Sequence, residues 1–139
     1  MKLITDKTQF EKEILVLASL KPKFFYICTF RLVANRFFYE VIKSLPPNCK
    51  IKVIIGVKDS SNAFLRFMEK MATKYQMDVK IVHNFHTKMI ITNNGGLIGG
   101  RNLTSSDWDD LSIKVTKKES VNALKRHFEK LYKEKKSLI

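Results

Sequence analysis

The chain has 139 residues, 45% of them hydrophobic, with 26 Lys and Arg against 13 Asp and Glu, a formal net charge of +13. That length and composition describe one globular domain spanning residues 1–139 and exclude a disordered tail. The charge points to a polyanion as partner, either nucleic acid or an anionic membrane surface.

Cys28 and Cys49 sit in apolar runs without ligand spacing, so they read as buried thiols and not as a disulfide or zinc site. The opening "MKLITDKTQFEKE" turns polar too early for a signal peptide, and no apolar run reaches membrane-spanning length. The expectation is a soluble cytoplasmic protein with no stable membrane association.

Helix and strand patterns then alternate. "TQFEKEILVLASL" puts Phe10, Ile14 and Leu17 on one helical face, with Thr8 and Glu11 as a capping box. "KFFYICTFRL" reads as a buried strand. "NRFFYEVIKSLPP" reads as a helix capped by Asn35 and stopped by Pro46-Pro47. "KIKVIIGV" is a second strand, ended by Gly56. Beyond the turn residues Asp59-Ser60-Ser61, a third helix carries Phe64, Phe67, Met68, Met71 and Tyr75. "MDVKIVH" is a third strand. "HTKMIIT" and "GGLIGG" form a hairpin through Asn93-Asn94-Gly95-Gly96, where Asn and Gly tolerate positive φ. "DLSIKV" is a further strand. A last helix opens on a Thr116–Glu119 box and stacks Val121, Leu124, Phe128 and Leu131. The fold class is α/β, a mixed β-sheet flanked by helices. The methionines and aromatics at helical spacing are core, and no cofactor is implied.

Chemistry concentrates in "HNFHTKMIITNNGGLIGGRN", residues 83–102. On a strand, His86 and Lys88 share a face, and strand propensity asks for neither. An imidazole beside an ammonium suits an anionic substrate: the lysine holds phosphate oxygens, and the histidine acts as nucleophile or acid/base. Gly99-Gly100 lets backbone approach a ligand, and Asn102 adds an amide donor. Gly99-Gly100-Arg101 also fits a simple bend. A metal site on His83 and His86 is disfavoured, because i and i+3 lie on opposite faces of a strand and no acid is interleaved. His127, on the polar side of the last helix, reads as solvated surface.

The run His86-x-Lys88, Asn93, Gly99-Gly100-Arg101-Asn102-Leu103-Thr104 resembles the HKD signature of the phospholipase D superfamily. The likeness extends over nearly the whole chain, and it is closest to the small endonucleases with one motif per chain. Two departures stand out: Asn93 replaces the family's Asp, and the hairpin to Gly99 is one residue short. The family also places an acid near the histidine on the strand after the motif. Asp109 and Asp110 are the candidates, Asp110 preferred, though both also fit a loop before the strand. Trp108 fits packing better than base stacking.

The resemblance implies a single-HKD phospholipase D-like domain in which His86 attacks phosphorus and Lys88 and Asn102 stabilise the phosphoryl oxygens. A second histidine would serve the leaving group, and no metal is needed. One motif per chain implies a homodimer with a composite site. The expected activity is that of a metal-independent endonuclease on DNA or RNA, with Arg31, Gly100 and Arg101 binding substrate. A nucleic-acid-binding module without catalysis and a lipid phosphodiesterase are the alternatives.

Overall fold

The computed structural model describes residues 1–30, 36–58, 61–99 and 111–139. Long β-branched and aromatic runs form the strands, and amphipathic segments form the helices. Among the described residues the order is β1 (Lys2–Ile4), α1 (Lys7–Ser19), β2 (Phe24–Phe30), α2 (Arg36–Ser44), β3 (Lys50–Val57) and α3 (Asn62–Tyr75). It continues through β4 (Met77–His83), β5 (Met89–Thr92), β6 (Gly95–Gly99), β7 (Ser112–Val115) and α4 (Lys118–Glu134). The strands make one mixed sheet in the order β1-β7-β6-β5-β2-β3-β4. β2, β3 and β4 run parallel, and the remaining pairings are antiparallel.

The pleat sends alternate side chains to two cores. Phe25, Ile27, Val53, Ile55 and Ile90 pack with Ile14 and Leu17 of α1, Phe38 and Val41 of α2, and Met68 of α3. Tyr26, Cys28, Ile54, Met89 and Ile91 pack on the other face with Val121 and Phe128 of α4. This is the expected helix-flanked mixed sheet, and both thiols are buried and free. Beyond α4, the Leu138 N–H donates to Ile81 O (2.8 Å), so the chain's end partly covers the outer edge of β4. Glu13 of α1, buried, meets Lys114 of β7 at 2.6 Å and Lys2 of β1 at 3.1 Å, tying the helix to the far edge of the sheet.

Several local expectations are corrected. α1 is capped by Asp6, whose side chain accepts from the Gln9 N–H at 2.8 Å, and not by Thr8. α4 begins after Lys117 without a side-chain cap, so Thr116 does not close a box with Glu119. Gly95 and Gly96 are paired strand residues, opposite Thr92 and Ile91, and the turn is Asn93-Asn94 alone. Neither asparagine has positive φ. The two glycines are needed for packing instead: a Cβ at Gly95 would lie 3.0 Å from a Leu17 methyl, and one at Gly96 3.0 Å from a Leu124 methyl. The expected caps Asn35 and turn residues Asp59 and Ser60 lie outside the described residues. No helix among the described residues is long and apolar enough to cross a membrane.

Candidate active site

The parallel strands β2, β3 and β4 end at Phe30, Val57 and His83. On the antiparallel side, β5 starts at Met89 opposite Cys28, while β6 ends and β7 starts at the pair Gly99 and Ser112. All these ends share one rim of the sheet. Ligands of open α/β sheets bind outside the carboxyl ends of the parallel strands.

His86 and Lys88 are on the rim, but not on a strand. β5 begins only at Met89, so the pleat does not set which way the two side chains point. Three other features fix the segment 84–88. Asn84 turns the chain with φ +56° and donates its N–H to Val57 O at 3.1 Å. Phe85 is buried in the core beneath α4. Gly56 makes the crossing possible: a Cβ there would sit 1.8 Å from Phe85 O, closer than any real contact. The turn at Asn84 also separates His83 from His86, so the two are not spaced along one strand.

The segment then delivers an exposed His86 whose ring lies on that of Phe30, centroids 4.1 Å apart and tilted by 34°. Lys88 is half-buried and borders a narrow cleft with Met89, Gly99 and Ser112. The Gly99 N–H donates to Lys88 O at 3.3 Å. Gly99 has φ +147°, and a Cβ there would lie 2.3 Å from Leu111 O, so only glycine fits. Ser112 is buried in the same cleft, and among the described residues its hydroxyl has no hydrogen-bond partner. An imidazole and a lysine two residues apart on this segment are both groups that can interact with an anion.

Asn93 lies at the opposite end of β5. Its side-chain oxygen accepts the Lys23 N–H at 2.8 Å, joining the hairpin to the start of β2. It therefore acts on the framework and does not touch the rim. The remaining candidates, Arg31, Gly100, Arg101, Asn102, Asp109, Asp110 and Trp108, lie outside the described residues. His127 is exposed on α4. Phe30, Gly56 and Ser112 were not anticipated. Of these, only Gly56 left a signal, a glycine inside the β-branched run "KIKVIIGV".

No family model and no curated protein matches the sequence. Solved structures do match. Nuc from Salmonella typhimurium, a phospholipase D family member, superposes with a TM-score of 0.66 at 13% identity, over 98% of this chain and 97% of its own. The fold is that of the phospholipase D family. Polyphosphate kinase from Porphyromonas gingivalis matches over 95% of this chain and 23% of its own, with TM-score 0.74 and 14% identity. TrmBL2, an archaeal chromatin protein with a novel mode of DNA binding, matches over 99% of this chain and 54% of its own, with TM-score 0.72 and 10% identity. The chain thus spans nearly the whole of Nuc, about a quarter of the kinase and about half of TrmBL2.

Proposed function

We propose that the protein is a metal-independent endonuclease that hydrolyses DNA or RNA phosphodiesters through a phosphohistidine. A ring nitrogen of His86 attacks phosphorus and the bond to the leaving oxygen breaks, a second histidine giving that oxygen its proton. The same histidine then takes a proton from water, which attacks phosphorus and breaks the P–N bond. Lys88 stabilises the phosphoryl oxygens, with Asn102 beside it. The second histidine is His86 of another copy, in a two-fold homodimer with one composite site. Arg31, Gly100 and Arg101 hold the substrate backbone, and Asp110 orients the imidazole.

The observation that carries this reading is the segment 84–88. A backbone crossing that only glycine permits, at Gly56, and the Gly99 N–H bond to Lys88 O hold the segment that carries an exposed imidazole and a lysine, at the carboxyl-end rim of the parallel strands. The net charge of +13 favours a polynucleotide over a neutral phosphodiester. The test is cleavage of plasmid DNA and single-stranded RNA in excess EDTA, comparing the wild type with His86→Ala. Cleavage that disappears in the variant is the expected result. Retained cleavage in His86→Ala would refute the assignment. A second reading, a DNA-binding module without turnover, is favoured by the same fold in TrmBL2. It predicts salt-sensitive binding by both proteins and cutting by neither.

A further inference from the structure

We propose that Phe30 is a positioning residue for His86, a platform that fixes the plane of the imidazole for in-line attack. The inference rests on the role given to His86 above.

Phe30 is the last residue of β2, next to the sheet's centre, and it pairs with Gly56 of β3. The two residues and the crossing segment form one construction. Gly56 offers no side chain, so the Phe85 carbonyl can pass directly over it. A Cβ at Gly56 would also meet the Phe30 ring, at 2.9 Å from Cδ2. The missing side chain therefore makes room for both the backbone that carries His86 and the ring on which His86 rests. The imidazole then lies on that ring at 4.1 Å between centroids.

Among the described residues, this ring contact is the side-chain interaction that holds the imidazole. The alternative role, plain core filling, fits poorly. Phe30 is only half-buried, at the strand terminus, and its ring contact with His86 is to an exposed polar ring. A histidine free to rotate about χ1 and χ2 would sample orientations whose nitrogen lone pair misses phosphorus. A tilted stack removes most of them before substrate arrives.

The experiment uses Phe30→Leu and Phe30→Tyr in the full chain. The first readout is the NMR shift of the His86 ring protons, assigned by comparison with His86→Ala. A ring stacked on an aromatic face is shifted upfield, whereas exposed His127 supplies the unshifted reference. We expect Phe30→Leu to abolish the upfield shift and Phe30→Tyr to keep it. The second readout is cleavage in EDTA. The expected result is a kcat lower by ten- to a hundredfold in Phe30→Leu, on the order known for misplaced reacting groups, with KM unchanged and activity restored in Phe30→Tyr. An unchanged His86 shift in Phe30→Leu overturns the positional claim whether or not the protein cleaves. A shift that moves while kcat holds overturns the catalytic one. A wild type that never cleaves, yet shows the shift and its loss, removes the proposed function and upholds the stacking itself.

Discussion

Replacing Gly56 by Ala puts a methyl group directly against the backbone that carries His86. The added Cβ would stand 1.8 Å from Phe85 O and 2.7 Å from Phe85 C, both backbone atoms, and 2.9 Å from the Phe30 ring. No rotamer change relieves a backbone contact, so Phe85 must retreat by more than about 1 Å, carrying His86 with it. Overpacking of this kind costs about 1–3 kcal/mol. For a domain of this length that corresponds to a fall in Tm of roughly 3–12 °C. Activity should fall further than stability, by about a hundredfold, because the displaced backbone is one residue from the proposed nucleophile, His86. Thermal unfolding and metal-free cleavage, measured on the same preparation, read the two effects separately. An alanine variant with wild-type Tm and wild-type kcat would refute the account of how segment 84–88 is held.

Other outcomes follow from the same structure. Asn93→Asp should leave activity nearly unchanged, since a carboxylate also accepts the Lys23 N–H, whereas Asn93→Ala should cost about 0.5–1.5 kcal/mol in denaturant unfolding. A large gain in activity for Asn93→Asp would contradict this. Gly99→Ala should lower the yield of folded protein and abolish cleavage, because the residue combines φ +147° with a 2.3 Å approach to Leu111 O. Stability should also respond to acid through Glu13. Its hydrogen bond to Lys114, with help from Lys2, outweighs burial and holds its carboxyl below the usual carboxylate range. A depressed folded pKa means this contribution is complete above the unfolded pKa and is lost as pH falls through the folded one. Unfolding followed from pH 6 down to pH 2 should therefore show a loss that Glu13→Gln makes shallower, and parallel profiles would exclude the role.

β2, β3 and β4 are legible because each is a run of seven or eight residues rich in β-branched or aromatic side chains, bounded by a turn residue or a helix pattern. β1 is not, because Lys2–Ile4 is three residues long and exists only through its pairing with Ile113 and its neighbours. The caps failed for a related reason. Asp6 and Thr8 offer equally good local oxygens, and the start of the helix is decided by where β1 releases the chain. At the candidate site, the sequence singles out His86 and Lys88 but not what supports them. His-x-Lys next to an apolar run reads as continuous strand, and nothing local announces that Asn84 turns the chain or that Phe85 is buried below α4. The Phe30–His86 stack joins positions 56 residues apart, a contact that only the sheet order creates.

The most direct test of the central claim is stereochemical. A nucleic-acid phosphorothioate of known configuration at phosphorus would be cleaved in EDTA and isotopically labelled water, and the configuration of the product determined. Two successive displacements, first by His86 and then by water, predict overall retention. Inversion, or no turnover at all, would contradict a phosphohistidine route through His86.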